Sequence, residues 1–119
     1  MLVKDELADG LNFLFYWEDF SSHIGKVTIE QMDKRLPEVW FWNVEINEDL
    51  RGKGYGKLLI EDAINYVKCN FIEIQKIILK VFKTNAPAVK LYTHAGFKEV
   101  GDECLMLRME LNLKGENNG

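Results

Sequence analysis

The chain has 119 residues and 13.8 kDa, one domain's worth of protein. At 47% apolar and 29% charged residues its composition is that of a globular core under a solvated surface, which excludes a disordered or fibrous chain. A formal net charge of −4 and a pI near 5.2 argue against a protein whose main task is neutralising a phosphate backbone, because that needs a basic face.

The first predicted strand is Leu11 to Trp17, a dense apolar and aromatic run bounded by Gly10 and by Glu18-Asp19. Ile24 to Met32 alternates, with Val27 and Ile29 on one side, and the two runs read as a hairpin. Val39 to Ile46, entered after Pro37, has the aromatic and β-branched enrichment of a third strand. The period then changes. From Gly54 to about Cys69, Ile60, Ile64, Val67 and Phe71 recur at steps of four, three and four, and Leu59, Ala63 and Tyr66 widen the stripe, which predicts a core-facing helix. Lys76 to Phe82 reads as a buried strand, so the strand-helix-strand order implies parallel neighbours joined by a right-handed crossover. Asn85 supplies an N-cap, Pro87 sits in the first turn, and Ala88, Leu91, Tyr92 and Ala95 mark a short helix closed by Gly96. Phe97 to Val100 and Leu105 to Leu111 follow as two more strands. Residues 1–113 read as one domain, and the polar run 114–119 as a disordered tail.

Cys69 and Cys104 lie far apart without CxxC spacing, and His23 and His94 are isolated from them, which disfavours a metal site or a disulfide framework. Buried free thiols are the preferred reading, with a single Cys69–Cys104 pair as the alternative. The N-terminus is acidic where a secretory leader is basic and then apolar, and no apolar run reaches the roughly 18 residues of a membrane span. The expectation is a soluble cytoplasmic protein, without membrane or nucleic-acid partners.

The segment Arg51-Gly52-Lys53-Gly54-Tyr55-Gly56-Lys57 stands where the third predicted strand ends and the long helix begins. A helix N-terminus presents unpaired N–H groups and about half a positive charge, and glycines let an anion approach the backbone. With three cations and no acid among those seven residues, the loop suits an anion, a pyrophosphate before others. The dinucleotide fingerprint GxGxxG fails, because its third glycine position is Lys57, and a Walker A loop fails because Leu58 follows the lysine.

Arg51-x-x-Gly54-x-Gly56 does resemble the Arg/Gln-x-x-Gly-x-Gly/Ala loop of the GCN5-related N-acetyltransferases (GNAT). Asn85-Ala86-Pro87-Ala88-Val89-Lys90-Leu91-Tyr92, followed by Ala95-Gly96-Phe97, is similar to that family's Asn-x-x-Ala-x-x-Leu-Tyr...Gly-Phe signature. The resemblance covers roughly Val39 to Glu110. It implies an α/β fold with a mixed, mostly antiparallel sheet and a parallel βαβ pair splayed at the cofactor site; the two front helices usual in the family are expected to be reduced or absent, because only about ten residues precede the first predicted strand. It further implies acetyl-CoA as co-substrate, no metal, and a primary amine of a small molecule or peptide as acceptor.

By the same resemblance, backbone N–H groups of Gly52, Lys53, Gly54, Tyr55, Gly56 and Lys57 would hold the pyrophosphate, with Arg51 opening the loop. The strand end from Val44 to Ile46 would pair with the pantetheine arm. Asn85 would contact the pantetheine, a role compatible with a plain N-cap, and Tyr92 would stand beside the thioester sulfur, its alternative being a buried packing aromatic. An amine of pKa about 10.4 must lose a proton to attack a carbonyl, and a departing thiolate, whose parent thiol titrates near 8.5, can be protonated by a phenol such as Tyr92. The strand glutamate that some family members place before the asparagine motif is absent, since Leu79-Lys80-Val81 stands there. Glu45 is the first candidate base, with Glu30, Glu18 and Asp19 as fallbacks; His23 and His94 are read as bystanders.

Only about ten residues precede the first predicted strand, so the acceptor side is expected to be open or completed by a second subunit through Phe13, Phe15, Trp17, Trp40 and Trp42. The expected function is direct acetyl transfer in a ternary complex. The alternatives are a catalytically idle acyl-CoA-binding domain and, more remotely, a nucleic-acid module. Residues 1–50 hold 4 Lys/Arg against 11 Asp/Glu, a net of −7, and residues 51–119 hold 11 against 8, a net of +3. That division predicts an anionic cofactor on the second half and a preference for amines over acidic acceptors.

Overall fold

Among the described residues seven strands make one sheet, in the order β1-β2-β3-β4-β5-β7-β6. The computed structural model describes the backbone of residues 2–5 and 11–16 and all of residues 23–113. The strands are β1 Leu2–Asp5, β2 Leu11–Tyr16, β3 His23–Glu30, β4 Glu38–Ile46, β5 Lys76–Phe82, β6 Lys98–Glu103 and β7 Met106–Asn112. A single 3-10 turn at Glu48–Leu50 leads into helix α1, Tyr55–Asn70, and α2, Ala86–His94, joins β5 to β6. Every adjacent pair is antiparallel except β4 and β5, the mixed sheet with one βαβ unit that the sequence predicts.

Strand β1 is missing from the sequence reading because four residues ending in Lys4-Asp5 offer too short an alternation to separate from a turn. It pairs with β2 from Leu2↔Phe15 to Asp5↔Asn12. Strand β3 stops at Glu30 rather than Met32. The Gln31 side chain donates to the Leu36 carbonyl at 2.9 Å and closes the turn, leaving Met32 exposed. Trp17, Glu18, Asp19 and the predicted tail at 114–119 lie outside the described residues.

The two faces of the sheet differ in kind. Val27, Ile29, Val39, Phe41, Ile77, Leu79, Val81 and Met109 form one buried layer with Leu59, Ile60, Ala63, Ile64 and Val67 of α1. Burying each of these side chains larger than alanine stabilises the fold by on the order of 2 kcal/mol. That outweighs the roughly 1 kcal/mol lost by placing Gly56 in the first turn of α1. By strand alternation the opposite face carries Trp40 and Trp42, stacked at 4.9 Å and 6°, with Arg108 over Trp40 at 5.1 Å. Ion pairs Lys76–Glu110, Lys80–Glu103 and Arg108–Glu110 cross β5, β7 and β6 on that side.

The cysteines overturn their expectation. Both are free and exposed rather than buried. Cys69 lies two residues past buried Val67, about 200° around the helix, and Cys104 occupies the tight turn between β6 and β7 with φ 63°.

One irregularity positions everything that follows. Strands β4 and β5 pair only from Glu38↔Lys76 to Trp40↔Ile78 and part beyond. On the other side of β4, Lys26 pairs with Glu45 and Thr28 with Trp42, so two residues, Asn43 and Val44, stand against the single Val27. Asn43 takes φ 52°, the left-handed conformation of a β-bulge. The extra residue reverses the alternation: Phe41 faces the helices before the bulge, Val44 and Ile46 after it.

Candidate active site

The loop before α1 is shaped for an anion by its backbone. Gly52 and Gly54 adopt φ 79° and 87°, and a Cβ at either position would meet no atom within 4 Å. Their glycine requirement is therefore conformational, and the space above them is open. Gly54 caps α1 without a side-chain hydrogen bond, and no acid occupies the first turn. The positive end of the helix dipole is thus uncompensated by side chains, with exposed Arg51, Lys53 and Lys57 around it. Gly56 has a steric reason as well: its Cβ would lie 3.3 Å from Leu91 Cδ2, where α1 meets α2.

The split between β4 and β5 opens into a cleft of about 440 Å³ on the helix side of the sheet. It gathers Val44, Glu45, Ile46, Arg51, Gly52, Gly56, Asn85 and Tyr92, eight of the residues predicted from sequence. A groove of about 490 Å³ between α1 and α2 continues from it past Pro87 and Leu91, and there Lys57, Lys90 and His94 line the wall. Lys53, Gly54 and Tyr55 line neither. Asn47 donates to the Ile24 carbonyl, so strand alternation turns the N–H and C=O of Ile46 away from β3 and toward the split. The Arg51 Nε donates to that Ile46 carbonyl at 3.1 Å, which ties the loop to the end of β4.

The side chains fall into place around this cleft. Asn85 caps α2, its carboxamide oxygen accepting from the Ala88 N–H at 3.3 Å, so what it can offer a ligand is its NH₂ group. Tyr92 is buried, at 7% exposure, and its ring packs edge-on against Phe97 at 5.9 Å, with Phe97 against Phe41 at 6.4 Å. Burial pushes the Tyr92 phenol up to about 12, so the hydroxyl keeps its proton at any physiological pH. Giving that proton completely to a thiolate with a parent pKa near 8.5 would cost roughly 5 kcal/mol. Tyr92 can therefore act as a hydrogen-bond donor to a leaving sulfur, a narrower role than full protonation.

Glu45 is exposed and stands on the wall shared by the cleft and a smaller recess of about 200 Å³ that also holds His23, Lys26 and Glu48. Glu30 pairs with Trp40 at the opposite end of the strand and lines no described cavity near the cleft. His94 belongs to the groove between the helices. The bulge at Asn43 is the site feature that the sequence reading misses. Its one available signal is an asparagine, tolerant of left-handed φ, inside an otherwise aromatic and β-branched run.

A mixed sheet splayed at the single parallel pair among the described strands, with a glycine loop at the following helix, is the architecture of the acetyltransferase class. The model of the acetyltransferase (GNAT) family matches residues 3–97, and the chain belongs to that family. It is 30% identical over 70 residues to the spermine/spermidine N(1)-acetyltransferase of Bacillus subtilis, a match that spans 59% of this chain and 45% of that relative's length. Among solved structures, a GNAT family acetyltransferase from Elizabethkingia anophelis with acetyl-CoA bound superposes with a TM-score of 0.75 at 18% identity, covering 88% of this chain and 77% of that one. A chimera of the Vibrio cholerae spermidine N-acetyltransferase superposes with a TM-score of 0.75 at 25% identity, covering 86% and 68%. No described helix is long and apolar enough to cross a membrane.

Proposed function

We propose that the protein is an acetyl-CoA-dependent N-acetyltransferase acting on a primary amine. The observation that carries this reading is the convergence, on one cleft, of the β4–β5 split, the glycine loop at the start of α1, Asn85 and buried Tyr92. The residues fit the co-substrate. Three cations and the uncapped end of α1 suit the pyrophosphate, the split edge of β4 suits the amide-bearing pantetheine arm, and the groove with Lys57 and Lys90 suits the phosphorylated nucleoside. Bound there, acetyl-CoA supplies an activated acyl group that a neutral amine can attack directly.

The chain's own groups perform the rest. Backbone N–H groups at the β4 edge stabilise charge that develops on the carbonyl oxygen. Tyr92 donates a hydrogen bond to the departing sulfur. Glu45, in the cleft wall, accepts the amine's proton through water. A second copy of the chain, apposed through the face bearing Trp40 and Trp42, completes the acceptor side. Thermal shift with CoA, followed by thiol release from acetyl-CoA across a panel of amines, tests the reading. Binding with turnover is expected, and binding without turnover on any amine would leave an idle acyl-CoA-binding domain.

A further inference from the structure

The last residues of β4 form one wall of the cofactor cleft, and what they rest on is β3. Gly25 of β3 pairs with Ile46, and a Cβ at Gly25 would lie 2.4 Å from the Glu45 carbonyl oxygen, 2.9 Å from Ile46 Cδ1 and 3.3 Å from Ile46 Cα. Two of those three atoms are backbone and cannot swing aside as the end of a side chain can. The φ of Gly25 lies outside the left-handed region that Gly52, Gly54 and Gly96 occupy, so its requirement is space, not conformation. Resting on the proposed transfer activity, we infer that Gly25 is a positioning residue for the co-substrate: its missing side chain seats the end of β4 on β3 and so holds the cleft at the width that the pantetheine arm needs.

The local backbone accounts for so close an approach. Between the pairs Phe15↔Gly25 and Tyr16↔His23, Ile24 is an extra residue of β3, while β4 carries its own extra residue opposite Val27. A bulge on each strand sharpens the twist where Gly25 faces Ile46. Just past that pair, the Asn47 N–H donates to the Ile24 carbonyl at 2.6 Å and fastens the strand end to β3.

Direction decides what a side chain at this position would do. Strand β4 has β3 on one side and the split on the other, and beyond Trp40↔Ile78 no described ladder pairing with β5 holds it. A strand end pushed off β3 therefore moves into the cleft, carrying the Ile46 N–H and C=O with it. Restoring ordinary contact with the Glu45 oxygen, at 3.4 Å, takes a displacement of about 1 Å. Misplacement on that scale can cost roughly a hundredfold in catalysis. The groove between α1 and α2, with Lys57, Lys90 and His94, has no β3 or β4 residue in its described lining, so the seat suited to the phosphorylated nucleoside is untouched.

The test is calorimetry with CoA and with adenosine 3′,5′-bisphosphate, which keeps the nucleotide end and lacks the pantetheine arm. In Gly25→Ala the affinity for CoA is expected to fall at least about tenfold while that for the bisphosphate stays within about twofold, which also shows that the variant is folded. Should Gly25→Ala fail to fold, Asn47→Pro carries the test. At φ −51° that position accommodates proline, and the exchange removes the N–H that the Ile24 carbonyl accepts, so the same selective loss is expected. Gly101→Ala in β6 is the control: its new carbon would meet only Arg108 Cβ at an ordinary 3.5 Å, and both affinities should stay within about twofold of the wild type. Equal losses for the two ligands, no loss for CoA, or a loss in Gly101→Ala as large as in Gly25→Ala would overturn the positioning role and leave the cofactor reading standing. If the wild type itself does not bind CoA, both fall.

Discussion

Tyr92 is held by Phe97 and Phe41 and lines the cofactor cleft, so its ring and its hydroxyl have separable effects. Tyr92→Phe keeps the ring: turnover should fall roughly a hundredfold while CoA affinity stays within about twofold, read by steady-state kinetics and calorimetry. The raised phenol has a linkage consequence. The folded state keeps this proton to about pH 12, whereas an unfolded tyrosine releases it near 10. The contribution to stability is therefore complete below about pH 10 and is lost as pH rises toward 12, by about 1.4 kcal/mol per unit. Urea titrations across that window should show this slope in the wild type and its absence in Tyr92→Phe. Asn43, at φ 52°, should accept glycine with little change, whereas Asn43→Val should cost about 1–3 kcal/mol and lower activity by re-registering β4. Glu45→Gln tests the proton acceptor: activity that is unchanged from pH 6 to 9 removes Glu45 from the mechanism. Tyr92 and Asn85 are legible in the sequence because a signature and a cap fix their places. The conformation of Asn43 is not, because a bulge depends on the register of β3 against β4 rather than on local composition.

The loop before α1 and the pair of helices are where sequence and structure agree most closely. Turn chemistry at Gly52 and Gly54, the 3.6-residue stripe of α1 and the Asn85 cap are all local signals, and each element forms within a residue or two of its predicted bounds. Strand β1 and the cysteines' exposure are products of pairing and packing between distant segments, which no local window contains. Gly54→Ala would force an alanine into φ 87°, so the loop should distort and CoA should bind about tenfold more weakly, with the melting temperature a few degrees lower. Lys57→Ala with Lys90→Ala addresses the groove between α1 and α2. Affinity for CoA should fall severalfold and lose part of its salt dependence, while affinity for a pantetheine thioester lacking the nucleotide should not change.

For the whole molecule, the net of −4 hides a division between an acidic first half and a basic second half. The positive second half does hold the loop and groove suited to an anion. Among the described residues, a further cavity that holds Trp42 and Phe82 is lined by Lys80 and by no carboxylate. The proposed dimer through the face bearing Trp40 and Trp42 predicts twice the chain mass in sedimentation at micromolar concentration; a monomer would remove the second subunit from the account. The central claim is acetyl transfer from acetyl-CoA at the β4–β5 split, and the most direct measurement is thiol release with mass detection of the acetylated amine in the same reaction. One thiol per acetylated amine, abolished by competing CoA, is the predicted result. CoA binding with no thiol released in the presence of any primary amine would contradict it.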